Sequence, residues 1–65
     1  MLKVGDLVSF RILLEADNTG SFWTWKEGIG HITGAVYLED GKMFYEIVDA
    51  EGRLHDVPPN DINKL

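Results

Sequence analysis

The side chains best equipped to bind something stand together in NTGSFWTWKEG, Asn18 to Gly28, where Phe22, Trp23 and Trp25 bring both tryptophans into four positions. A tryptophan offers up to about 250 Å² of mostly apolar surface and one N–H donor, which suits an interface as well as a half-buried core edge. In an extended segment from Ser21 to Trp25, Phe22 and Thr24 face one way and Trp23 and Trp25 the other. One set is then free to cap a core while the other meets solvent or a partner. At least one tryptophan is expected to pack. Exposure of the other would make an apolar patch of the kind that marks a partner or self-association. The candidate protein-binding residues are therefore Phe22, Trp23 and Trp25, with Tyr37 and Phe44 as their expected groove neighbours.

Other chemistry finds little support. His31 and His55 lack metal-ligand spacing and there is no cysteine, so neither a metal site nor a disulfide is expected. His55 has Asp56 beside it, but neighbours in a strand point to opposite faces, and a satisfied or solvent-exposed histidine is the expectation. Ser9 and Ser21 lie outside any Gly-x-Ser-x-Gly elbow. Asp49 and Glu51 fall in a turn open to water, where nothing raises a carboxyl pKa toward neutrality. GIGHITG, from Gly28, has the glycines of a phosphate loop but runs on into β-branched and aromatic residues, whereas a phosphate cradle needs a helix there. No catalytic residue and no cofactor are expected. A chain this small has little volume for a substrate pocket of several hundred Å³ unless an oligomer builds one.

The chain has 65 residues, enough for one domain spanning 1–65. Such a domain buries only roughly 60% of its unfolded surface. Its formal net charge is −5, and the six basic residues are scattered from Lys3 to Lys64 with no adjacent pair. Binding to a phosphate backbone rests on clustered cations, so nucleic acid is a disfavoured partner. An acidic mimic of DNA is equally unsupported, because the eleven acids are spread out and adjoin only at Glu39-Asp40. MLKVGDLVSF lacks the apolar core of a secretory leader, and no run approaches the roughly 20 apolar residues of a spanning helix. These features lead to the expectation of a soluble, cytoplasmic protein without a membrane partner.

Apolar residues recur with period two rather than with helical spacing, which predicts an all-β chain. In VGDLVSFRI one face holds Val4, Val8, Phe10 and Ile12, after a Gly-Asp entry suited to a tight turn. The turn formers of ADNTGS predict a long loop from Glu15 to Ser21. Next, Ile32, Val36 and Leu38 are assigned to one strand face and His31, Thr33, Ala35 and Tyr37 to the other. Glycines at 28, 30 and 34 predict a bulge, a bend or close backbone approach inside that strand. EDGK predicts a hairpin with a type I′ turn. KMFYEIVD follows as a strand with Met43, Tyr45 and Ile47 on one face, and DAEGR as a second tight turn. Pro58 and Pro59 end the strand at LHDV. In PNDINKL a single helical or 3₁₀ turn is expected, capped by Asn60 or Asp61, with Leu65 returning to the core.

In order and spacing, VGDLVSF, GIGHITGAVY, MFYEIVDAEG and VPPNDINKL together resemble the SH3-like small-barrel superfold of SH3, Tudor and KOW-type domains. This resemblance covers most of the chain and is to a fold rather than one family. It implies a partly open barrel of about five short strands, with a long first loop beside a shallow groove and a C-terminal 3₁₀ turn. The acidic first loop and Ala-Leu-Tyr-Asp-Tyr opening of PxxP-binding SH3 domains are absent, as is the basic character of KOW modules. The plasmid-borne dihydrofolate reductases share this fold, but where their Val-Gln-Ile-Tyr strand would stand this chain has LHDVPP. A Tudor-like aromatic cage would use Trp23, Trp25, Tyr37 and Phe44. The leading expectation is a non-enzymatic module that binds a protein partner or itself, as an adaptor, accessory subunit, or phage or mobile-element protein. Two alternatives stand beside it: a nucleic-acid-associated barrel stacking bases on exposed aromatics, and an oligomeric enzyme with a site on a symmetry axis.

Overall fold

The computed structural model describes residues 1–15 and 23–65, with side chains described for 1–13 and 25–65. Five antiparallel strands, β1 (Leu7–Glu15), β2 (Trp23–Tyr37), β3 (Met43–Asp49), β4 (Leu54–Val57) and β5 (Ile62–Lys64), form one sheet in the order β4-β3-β2-β1-β5. A 3₁₀ turn, Pro59–Asp61, joins β4 to β5. The sheet is all-β and does not close, because β4 and β5 remain its two edges.

The predicted alternation gives the core. Val8 and Phe10 from β1, Ile32 from β2, Ile47 from β3, Val57 from β4 and Ile62 from β5 are all buried, and Leu2, Ile12 and Tyr45 pack against them. Val4, assigned to this face from the sequence, is instead exposed. It sits in the turn Lys3–Asp6, where Gly5 takes φ +94° and the Asp6 N–H donates to the Lys3 carbonyl at 3.1 Å. The Gly5 N–H then donates to the Ile32 carbonyl at 2.8 Å, tying this turn to β2.

β2 is a single strand of 15 residues rather than a short one. The glycines explain how it stays in one sheet. A Cβ on Gly30 would collide with the Val48 carbonyl and lie 2.9 Å from the Ile47 side chain, so only glycine lets β2 approach β3 this closely. At Gly28 the added carbon would stand 2.8 Å from the Phe10 ring, which covers the bare backbone. The predicted irregularity is a bulge between Ile32 and Gly34, where Thr33 has no partner in the register. That extra residue reverses the side-chain alternation beyond it. Ala35 pairs with Tyr45 on the core side, and Val36 pairs with Phe44 on the outer side. Val36 and Leu38 therefore leave the face assigned to them alongside Ile32, and both are exposed.

Both tight hairpins use one solution, and it is not the predicted type I′ turn. No non-glycine residue among those described has positive φ, so Asp40 does not adopt the conformation that type I′ demands. Instead the Gly41 N–H donates to the Leu38 carbonyl and the Leu38 N–H to the Lys42 carbonyl, with Gly41 at φ +86°. This is the three-residue loop with a left-handed glycine that forms a G1 bulge. Asp49 to Arg53 repeats it, with Gly52 at φ +81°.

Two C-terminal expectations are also corrected. Neither Asn60 nor Asp61 caps the 3₁₀ turn: Pro58 is its N-cap residue, no side chain caps it, and Asp61 lies inside the turn. The residue that returns to the core is Ile62, whereas Leu65 is exposed.

Candidate functional site

The register between β1 and β2 runs unbroken from Leu7↔His31 to Glu15↔Trp23. β5 covers β1 only from Val8 to Phe10, and β3 meets β2 only from Gly30 onward. Residues 11–15 and 23–29 thus form a two-stranded ribbon that no other described strand borders. Glu15, Trp23 and Trp25, read from the sequence as a loop or its flank, belong to strands. The reason is cross-strand pairing, which overrides the local preference of turn-rich neighbours. Phe22 and residues 16–21, where the sequence predicts a loop, lie outside the described residues, as does the Trp23 side chain.

Trp25 is the aromatic that can be followed. It pairs with Leu13, and both stay about half exposed on the outer face of the ribbon. The Arg11 guanidinium carbon lies 4.4 Å from the Trp25 ring centroid, a cation–π contact. Arg11 is itself held by the 3₁₀ turn, its Nε donating to Asp61 Oδ1 at 3.1 Å. One indole face is thereby braced against the body of the protein through a charged strut. Neither residue's role was foreseen from the sequence. A basic residue two positions before Leu13, the partner of Trp25, reaches the indole only once the register is known.

The remaining candidates do not join this group. Tyr37 lies at the far end of β2 from Trp25, pairs with Met43 and is 75% exposed. Phe44 is half-buried on β3 and pairs with Val36, on the face opposite to Tyr37. The bulge at Thr33 causes this separation.

At the open end of the core, the sequence missed a histidine–carboxylate hydrogen bond. His55 Nε2 lies 2.7 Å from Asp49 Oδ2, with both side chains about one-fifth exposed. A carboxylate only accepts, so the imidazole nitrogen donates. Asp49 Oδ1 also accepts from the Glu51 and Arg53 N–H groups, each at 2.9 Å. The His55 hydrogen bond, with the backbone N–H of Arg53 next, lowers the Asp49 pKa from 3.8 to about 2. The Phe10 ring packs 5.1 Å from that of His55. Asp56, the sequence neighbour, is not the partner: it pairs with Glu46 on the outer face. Among the described residues no hydroxyl or thiol lines the cleft beside this pair, whose walls include Phe10, Ile12, Lys26 and Gly28. The arrangement locks the β3–β4 hairpin. Among the described residues no three His, Asp or Glu side chains gather as a metal-ligand set, and no helix is long and apolar enough to cross a membrane.

Comparison with family models, with curated proteins and with solved structures finds no match to this chain.

Proposed function

We propose that this chain is a non-enzymatic interaction module which binds a protein partner, or a second copy of itself, through the β1–β2 ribbon. The observation that carries this reading is Trp25: a large aromatic left half exposed on a projecting ribbon, with one face fixed by Arg11 and Asp61. A rigid aromatic anchor loses little conformational freedom on binding, which is why tryptophan and arginine dominate the energetics of interfaces. Trp23 and Phe22 stay candidates on the sequence reading, and Tyr37 and Phe44 would serve as separate flanking contacts.

The fold reading belongs here too. We infer an SH3-like barrel, supported by the strand order β4-β3-β2-β1-β5 and by the 3₁₀ turn between the last two strands. Function is not inherited from that architecture, since superfolds host unrelated activities. Base stacking on Trp25 is the weaker reading, because Arg11 already covers one indole face and the chain carries a net charge of −5.

The test isolates Trp25 with a Trp23→Phe variant and follows acrylamide quenching of its emission. Ready quenching in the free chain, and protection when the protein from its native lysate is bound, is the expected result. Capture of the same partner by a Trp25→Ala variant at undiminished yield refutes the reading.

A further inference from the structure

The sheet carries an apolar band on its outer face as well as a buried core side. Apart from the buried core side, its outer side carries Leu7 (54% exposed) and Ile29 (57%), with half-buried Val48 and Leu54 (62%) alongside. The register sets them in one band across four strands: Ser9↔Ile29 adjoins Leu7↔His31, His31↔Val48 and Val48↔Leu54. Leu7, Ile29 and Val48 border a shallow depression of ≈ 360 Å³, completed by Gly30, His31, Asp49 and Ala50, with Leu54 outside it. An antiparallel sheet normally presents polar residues on its solvated face, and a sheet apolar on both sides is one that another layer covers.

The charges around this band choose the layer. Glu46 and Asp56 stand directly opposite each other in the β3–β4 register on this same face. Like charges in that relation destabilise a sheet, and among the described residues neither has a cation within salt-bridge distance. Glu27 adds a third carboxylate beside Ile29, on the same face. Among the described residues of this face Arg11 is the one permanent cation, and Asp61 already holds it. A second copy would lay the same acidic rim against this one, at a net charge of −5 on each side. A partner with basic flanks instead relieves the Glu46/Asp56 repulsion.

We propose that the outer face docks an amphipathic helix of another protein, whose apolar stripe covers Leu7, Ile29, Val48 and Leu54 and whose flanking lysines or arginines meet Glu27, Glu46 and Asp56. The proposal deepens the interaction-module reading; it shares Glu27 and Ile29 with the base of the ribbon but does not use Trp25, so the two can fail separately.

The probes are two synthetic helical peptides with the same leucine stripe, one flanked by lysines and one by glutamates, read by fluorescence anisotropy. The lysine peptide is expected to bind at least about tenfold more tightly than the glutamate peptide, a difference of about 1.4 kcal/mol. Ile29→Ser and Leu54→Ser, checked for folding by circular dichroism, each weaken it by about tenfold, and Glu46→Gln/Asp56→Asn weakens it by a few fold. Trp25→Ala leaves this binding unchanged whether or not it abolishes partner capture. Equal binding of both peptides, or undiminished binding of the lysine peptide to folded Ile29→Ser and Leu54→Ser, overturns the proposal. Sedimentation showing a dimer that Ile29→Ser converts to monomer overturns it as well, in favour of a second copy.

Discussion

At the scale of single residues, Asp49 does the most with the fewest atoms. One oxygen accepts both backbone N–H groups that would otherwise be orphaned in the β3–β4 turn, and the other accepts from His55. All three bonds favour the ionised carboxylate, which is why its pKa falls to about 2. The folded protein therefore binds fewer protons than the unfolded chain between that value and 3.8. The contribution of this group to stability is complete above about pH 4 and is lost as the pH falls toward 2. Urea midpoints measured across that window should decline for the native chain, and an Asp49→Asn variant should start lower and decline less. Equal slopes for the two proteins would show that the turn does not depend on this charge. The sequence offered Asp56 as the neighbour of His55 and Asp49 as a turn acid. The true pair is six residues apart, and only the hairpin register brings its members to one face.

At the scale of elements, β2 is where local preference and tertiary demand part company. The three glycines were legible as a place of bending or close approach, and two of them differ in a way no pattern reveals. Gly30 faces the Val48 carbonyl, a backbone atom that cannot rotate aside, while Gly34 has nothing within 4 Å of its would-be Cβ. Gly30→Ala should cost about 1–3 kcal/mol or more through forced separation of β2 from β3. Gly34→Ala should be neutral or stabilising by about 0.4–1 kcal/mol, because it restricts only the unfolded chain. Chemical denaturation of the pair measures both, and similar destabilisation by the two alanines would mean that β2 does not approach β3 so closely at Gly30. The bulge at Thr33 had a further effect that the alternation rule could not supply. One unpaired residue transfers Val36 to the outer face and Ala35 to the core side, and it sends Tyr37 and Phe44 apart.

For the molecule as a whole, six buried side chains among the described residues carry the fold. A 65-residue domain has roughly 3–10 kcal/mol of stability at about 0.05–0.15 kcal/mol per residue. Ile47, fully buried and in register with both Ile32 and His55, is central to it. Ile47→Ala should cost about 2–5 kcal/mol, a large part of that total, and shift the urea midpoint accordingly. Ile29→Ser, on the outer face, should change the midpoint little, since surface substitutions usually stay within about 0.5 kcal/mol. A large loss from Ile29→Ser in the isolated chain would mean that the outer face is already covered.

What the sequence determined by itself is the all-β class, the approximate place of most strands and turns, and which residues of β1 and β3 share a face, because period-two alternation, glycine and proline act within a few residues. Val8 and Phe10 share their face by that alternation alone, whereas Val36 and Leu38, grouped with Ile32, leave it beyond the bulge. Only the tertiary structure decided that Trp25 lies on a strand under Arg11, that Asp49 answers His55, and that Leu7, Ile29, Val48 and Leu54 form one band. Each of these depends on which residues stand opposite one another across strands. Register is set by long-range packing and by a single bulge, and a shift of one residue exchanges the two faces of a sheet.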